Sequence, residues 1–336
     1  MAGDVMMDKN VLDSEIAVFL ETMARGWADY PPFMTMPLAD ARVAAGKIRE
    51  PWTRGGPVMA RIHERLVPVD GGELRIRVYD PGLAPDAPIL IYLHGGGFVL
   101  FSLDTHDRLM REYAAAAGVL VVGVDYPLSP EVRYPVALDQ IVDLIGWLGG
   151  DNAATLGGDP ARIAIGGDSA GANLSLAAAL RLRDSGAPTV LRALLLNYGG
   201  FTGRCSDEAE ASYGGPGSVM DRAEVEYYFA SYLGDGRFES DDPYACQAAA
   251  DLEGLPPAFL VIPECDILSE QSYALRERMA AAGVEVLSEV YPGVTHSFLE
   301  AMSISAMARR AIADGAAWLR DRLAEPVKRP AAAPAE

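Results

Sequence analysis

The sequence predicts an α/β fold with a mostly parallel central sheet, helices on both faces and a helical cap. Short apolar runs at Ile89 to Leu93, Val119 to Val124, Ile163 to Ile165, Ala193 to Asn197, Ala258 to Ile262 and Val286 to Tyr291 have the length of strands buried on both faces. Helical stretches such as Leu103 to Ala117 and Tyr134 to Leu148 separate most of them, the alternation that builds parallel sheets. The chain has 336 residues, 50% of them hydrophobic, which is ample for one large core.

Taken in order, residues 11–27 place Leu12, Ile16, Phe19, Leu20 and Met23 at helical spacing, with Asp13 or Ser14 positioned to cap the helix. Residues 28–60, rich in Pro, Gly and Met, read as an irregular arm with a short helical piece near Pro37 to Ile48. Residues 1–60 are therefore assigned to an N-terminal helical cap segment. Alternation in Arg61 to Pro68 and Glu73 to Tyr79, around the turn Asp70-Gly71-Gly72, predicts an antiparallel hairpin. It opens the first part of the core, 61–198. Between Gly199 and Asp242 the rhythm lapses into Gly, acidic residues and an aromatic-rich helix around Ala223 to Tyr232, so 199–243 is read as a cap insertion. Residues 244–324 complete the core, and the Pro- and Ala-rich stretch 325–336 is expected to be an unordered tail.

A formal net charge of −19 argues against nucleic acid and anionic membrane surfaces as partners and favours a small uncharged substrate. Cys205, Cys246 and Cys265 form no CxxC pair and no metal-ligand spacing. They are expected to be free thiols in a reducing cytoplasm, with no bound metal. The N-terminal residues lack an uninterrupted apolar segment behind a basic start, so no secretion signal is expected. No apolar run reaches membrane-spanning length. Apolar cap surface is compatible with a homodimer, though no residue pattern specifies one.

Gly167-Asp168-Ser169-Ala170-Gly171 is a G-x-S-x-G placed directly after the strand Arg162 to Ile165 and directly before the helical run Asn173 to Arg183. A strand turning abruptly into a helix cramps the central residue, so its flanking positions must be small. Ser169 would then project at the carboxyl edge of the sheet, beside the free N–H groups of the next helix. The same pattern also occurs as a plain tight connection containing a serine. His94-Gly95-Gly96-Gly97-Phe98, at the end of Ile89 to Leu93, weighs against that plain reading. Glycines there free backbone N–H groups to approach a substrate, and Gly95, Gly96 and Gly97 with the N–H of Ala170 compose a candidate oxyanion hole.

A serine hydroxyl becomes a useful nucleophile when a base takes its proton. Of the four histidines, His63 lies in the hairpin, His94 in the glycine loop and His106 at the opening of a helix. His296 follows the last strand, and the chain order serine, acid, histidine selects it as the base. Asp266, four residues beyond Ala258 to Ile262, is the candidate acid. Asp184, Asp221, Asp235 and Asp251 have no comparable strand end before them, and the close rival Glu264 is given a supporting role. Asp168 is expected to fix the serine loop by hydrogen bonds, His94 to support the glycine loop, and the turn Pro127 to Glu131 to buttress it.

These motifs, with Asp125-Tyr126, Ser129-Pro130-Glu131, Glu264-Cys265-Asp266-Ile267-Leu268 and His296-Ser297-Phe298, resemble those of the hormone-sensitive-lipase-like bacterial esterases, most of all the acetyl-esterase type. The likeness spans nearly the whole chain. It implies an α/β-hydrolase core, a cap made from the N-terminal segment and a mid-chain insertion, no cofactor, and hydrolysis of short-chain acyl esters, acetyl to butyryl-like. It also implies a triad of Ser169, Asp266 and His296, with Gly95, Gly96, Gly97 and Ala170 around the oxyanion. Pro127 and Ile267 depart from the group, which usually has Arg after Asp-Tyr and Pro after the acid.

Two rival readings remain at this level. The fold also serves small-molecule receptors that have lost a catalytic residue, and the presence of His296 separates an enzyme from those. An amidase, peptidase or lactonase would keep the chemistry and change the bond. Phe98, Trp27, Tyr30, Phe33 and the aromatics of 201–232 are equally candidates for pocket wall and for cap core.

Overall fold

A single eight-stranded sheet organises the chain. Its strands are β1 (Arg61–Val69), β2 (Gly72–Asp80), β3 (Ala87–Leu93), β4 (Leu120–Val124), β5 (Gly158–Asp168), β6 (Leu191–Asn197), β7 (Ala258–Cys265) and β8 (Val286–Thr295). They lie in the order β1-β2-β4-β3-β5-β6-β7-β8. The β1–β2 hairpin is antiparallel and joins β4 antiparallel, and every pair from β4 to β8 is parallel. The computed structural model describes residues 12–186, 190–215 and 217–324. The expected unordered tail, 325–336, lies outside the described residues.

Both faces of the sheet are covered, which is why its strands read as continuous apolar runs. Side chains alternate across the pleat: Ile89, Ile91 and Leu93 of β3 enter one core, Leu90 and Tyr92 the other. The first core is closed by α4 (Val136–Trp147), α6 (Ala170–Asp184) and α9 (Ser269–Ala281), through residues such as Ile141, Leu174 and Leu275. The second is closed by α3 (Asp107–Ala117) and α10 (Ala306–Leu323), through Met110, Tyr113, Ile312 and Leu319. α10 is not singled out by apolar runs, because half of its buried positions, Ala308, Ala311, Gly315 and Ala316, are small residues that give little periodic signal.

Two N-terminal helices lie over the second core. In α1 (Ser14–Trp27), Asp13 caps the start by accepting from the N–H groups of Glu15 and Ile16. α2 spans Leu38–Thr53, longer than the short piece expected near Pro37 to Ile48, and the stretch to Thr53 is helical rather than irregular arm. Ala41, Ala44, Ala45, Ile48, Arg49 and Trp52 fall on one buried face, and that tertiary burial carries the helix through Pro51 in its last turn. Trp52 meets Phe19 of α1 edge-on, with ring centroids 4.8 Å apart.

α3 begins at Asp107, later than the Leu103 start expected from periodicity. Ser102 N–H donates to Thr105 Oγ1, and Asp104 N–H to Ser102 Oγ, so local side-chain bonds hold 102–105 in a non-helical turn. The segment after β6 holds α7 (Asp207–Tyr213) and α8 (Arg222–Leu233). Asp221 and Glu224 form a reciprocal capping box at the start of α8. The short α5 (Ala153–Thr155) precedes β5.

Docking of α2 makes a checkable prediction: Trp52→Ala should destabilise the protein by about 3 kcal/mol, the lower end for deleting a buried aromatic. Urea denaturation measures it. A loss below about 1 kcal/mol would mean that α2 is not held by this contact.

Candidate active site

Ser169 lies at the turn between β5 and α6 with φ 53° and ψ −118°, a region L-residues seldom occupy. The turn is held by close packing against β3. A Cβ on Gly171 would stand 1.9 Å from the Leu93 carbonyl oxygen, and one on Gly167 2.2 Å from the same atom. No side chain fits at either place. Ser169 N–H donates to the Asn197 carbonyl at the end of β6, 2.9 Å away, which ties the turn to the neighbouring strand.

Two other strand ends meet this turn. Asp266 directly follows β7, and its Oδ1 accepts the Leu268 N–H at 3.0 Å. Ile267, the departure from the expected proline, is buried and leaves that bond intact. His296 directly follows β8. Its Nδ1 lies 2.7 Å from Asp266 Oδ2 and its Nε2 2.9 Å from Ser169 Oγ. An imidazole donating from Nδ1 to the carboxylate leaves the Nε2 lone pair facing the hydroxyl. Burial works against charge on His296, but Asp266, aided by Asp168 and Glu300, outweighs it and raises its pKa above the ordinary value of 6.5.

Glu264 does not touch the imidazole. Its Oε2 accepts the Gly293 N–H at 2.8 Å, holding the end of β8 just before His296. Asp168 points beneath the glycine loop, where it accepts from the Tyr92 hydroxyl at 2.9 Å and from His106 Nε2 at 3.3 Å. Burial opposes its ionisation, yet His106 and Tyr92 together hold its carboxyl below the usual range. The same pairing overcomes burial to raise His106. His106 is a site partner that sequence reasoning placed only at a helix start. A contact across 62 residues leaves no local signal.

The glycine loop divides into two parts. Gly95 packs inward, and a Cβ there would come within 2.3 Å of Asp168 Oδ2. Gly96 and Gly97, at φ 113° and 60°, line a cavity of about 650 Å³ together with Ser169 and His296. Gly95 is not among the residues that line the cavity, and its Cα faces Asp168. His94 is stacked on Tyr126 at 4.5 Å, and burial, reinforced by His106, holds its pKa down to about 3. The neutral ring donates from Nδ1 to the Gly95 carbonyl at 2.7 Å.

The turn expected to buttress this loop does so through its backbone, since Ser129 N–H donates to the Phe98 carbonyl at 2.9 Å. Arg42 of α2 completes the clamp, donating to the carbonyls of Val99 and Ser129 and pairing with Glu131 at 2.7 Å. Trp27, Tyr30 and Phe33 wall the large cavity, and Phe98 stacks on Tyr232 at 3.9 Å while also lining a smaller pocket beside Ser169. This second pocket, of about 20 Å³, is also lined by Gly97, Ala170, Met220, Phe229 and Leu268.

The family model described as the alpha/beta hydrolase fold matches residues 90–300, and the chain belongs to that family, in its hormone-sensitive-lipase-like group. A curated relative, carboxylesterase NlhH of Mycobacterium tuberculosis (strain ATCC 25618 / H37Rv), is 37% identical over 277 residues, covering 78% of this chain and 83% of the relative. A hyperthermophilic esterase from the archeon Pyrobaculum calidifontis superposes with a TM-score of 0.85 at 29% identity, covering 93% of this chain and 98% of that one. The thermophilic carboxylesterase EstE1, cloned from a metagenomic library, gives 0.81 at 30% identity over 86% and 99%. The protein is a carboxylic ester hydrolase.

Gly171→Ala should cost about 3 kcal/mol or more, because a backbone carbonyl cannot move aside as a side chain would. The thermal midpoint reads this directly. By NMR titration His296 should lose its proton above pH 6.5, and Asp266→Asn should move that step downward. The stability linked to the raised value is complete below about pH 6.5 and disappears as pH rises through the folded-state pKa.

Proposed function

We propose that this ester hydrolase works by two-step acyl transfer on short-chain esters, acetyl to butyryl-like, with Ser169 as nucleophile, His296 as base and Asp266 as the orienting acid. One observation carries the reading: the unbroken line from Asp266 Oδ2 through His296 to Ser169 Oγ, at 2.7 and 2.9 Å. His296 takes the Ser169 proton as the oxygen attacks the ester carbonyl, then gives it to the departing alcohol. Water, activated by the same imidazole, releases the acid from the acyl-enzyme. The N–H groups of Gly96, Gly97 and Ala170 are the oxyanion donors, and Gly95 is assigned to positioning through Asp168. His94 and Asp168 set the glycine loop, and Glu264 sets the strand end that carries His296.

The two cavities support the chain-length reading. His296 lines the large cavity and not the small one, and the group that His296 protonates is the leaving alcohol. The alcohol portion therefore belongs in the large cavity and the acyl group in the small one. At about 20 Å³, between Met220, Phe229 and Leu268, that pocket has room for a methyl-sized group, with further length available only as Met220 and Leu268 shift. The described parts of segments 1–60 and 199–243 act as the two halves of a cap over the site, a role favoured by Trp27, Phe33, Met220 and Tyr228 all lining the cavity. The enzyme is assigned to the cytoplasm, which suits its free cysteines. Among the described residues no helix is long and apolar enough to cross a membrane. The charge of −19 speaks against nucleic-acid binding.

Hydrolysis of 4-nitrophenyl esters from acetyl to dodecanoyl tests the reading. Turnover should peak at acetyl to butyryl, and Ser169→Ala should lower it by at least about 10⁴-fold. A long-chain optimum would overturn the acyl-pocket assignment, and retained activity in Ser169→Ala would overturn the triad. kcat/KM should rise with pH along a limb set by His296, with its midpoint above 6.5.

A further inference from the structure

Arg49 stands in the wall of the large cavity and has no part in the proton relay. It projects from α2 and is only 7% exposed. Its Nε lies between the two carboxylate oxygens of Glu300, at 3.2 and 3.0 Å. Its Cζ sits 4.0 Å above the Phe101 ring, which fixes the plane of the guanidinium. An arginine that turned its forked end to the carboxylate would spend both Nη groups on the pair. Here Glu300 takes the Nε edge, and neither Nη group has a hydrogen-bond partner among the described residues. Neither Nη atom is sealed from solvent, so the residue that lines the cavity keeps donors open to a ligand.

We propose that the Nη fork of Arg49 is a substrate subsite that reads an uncharged, hydroxyl-bearing alcohol portion of the ester. This rests on the reading above, in which the large cavity holds the leaving alcohol. A hydroxyl both accepts and donates, and the cavity offers both complements: the Arg49 donors, and the side-chain oxygens of Asp221 and Glu224 in α8's capping box. A carboxylate substrate is disfavoured. Glu300 already neutralises Arg49, and Asp221 lines the same space in a chain of net charge −19. A plain alkyl alcohol would leave the fork unfilled, so the site discriminates by what it fails to satisfy as well as by what it binds.

The test uses acetate esters throughout, so that the acyl pocket sees one group. ω-Hydroxyalkyl acetates of two to four carbons are compared with the n-alkyl acetates of matching shape, and with ω-carboxyalkyl acetates. In the wild-type enzyme kcat/KM should favour the hydroxyalkyl ester over its alkyl match by about tenfold, the value of one charge-assisted hydrogen bond. Two variants remove the fork. Arg49→Lys keeps a cation against Glu300, and the double variant Arg49→Met/Glu300→Leu removes the pair without stranding a buried carboxylate. In both, the ratio should fall towards one, whatever happens to the absolute rates. An unchanged ratio in both variants would overturn the subsite and leave Arg49 as a tie between α2 and the histidine loop. A wild-type preference for the carboxyalkyl ester, lost in the variants, would overturn the uncharged assignment. Wild-type 4-nitrophenyl acetate hydrolysis separates the layers: its absence sinks the underlying esterase reading, whereas its presence with a flat ratio sinks the Arg49 inference alone.

Discussion

The contact between the Gly167–Gly171 turn and the Leu93 carbonyl is the constraint on which the rest of the site depends. Parallel pairing of β3 with β5 brings Leu93 opposite Gly167. The following helix can start immediately only because neither glycine carries a side chain. That closeness holds Ser169 in a strained conformation, and it places the first turn of α6 beside the glycine loop, so the candidate nucleophile and the candidate oxyanion donors share one origin. Strain of this kind, worth about 1–3 kcal/mol, persists because the surrounding sheet over-determines it.

Beneath that surface the site is stabilised by pairing charge in a dry interior. Asp168 is ionised against His106 and Tyr92, while His94, one ring away, stays neutral and serves as a hydrogen-bond donor. The contrast follows from partners. His106 faces a carboxylate, and His94 faces a carbonyl and an aromatic ring. Asp168 also fills the space under Gly95, so one carboxylate sets the depth of the loop that carries Gly96 and Gly97.

The helices above the sheet do more than cover it. Arg42 clamps the glycine loop to the turn at Ser129, and Arg49 reaches the helical turn after His296 through Glu300. Both belong to α2, so the placement of one N-terminal helix is coupled to both sides of the site. Tyr228 of α8 packs directly on Gly97, where a Cβ would stand 2.3 Å from the ring. The wall of the cavity and the geometry of the loop are therefore set by the same packing.

Much of this was legible in the residues. Strands covered on both faces must be apolar along their length, so β3 to β8 announced themselves and the fold class followed. Ser169, Asp266 and His296 were legible as residues placed just past strand ends, where a parallel sheet gathers its functional groups. α2 was underestimated because alanine gives little periodic signal, and its length comes from burial against Phe19 and the core. The start of α3 was misplaced because Ser102 and Thr105 bond locally in place of helix. Which way a residue faces was decided by tertiary structure alone. Gly95 against Gly96, His106 beneath Asp168, Glu264 on Gly293 and Arg49 at the cavity all turn on contacts between residues far apart in the chain. The sequence by itself determined which chemistry is available and on which edge of the sheet it sits. Only the packed structure decided which residues face the cavity and which face the interior, because a hydrogen bond depends on distances of a few tenths of an ångström that no local pattern encodes.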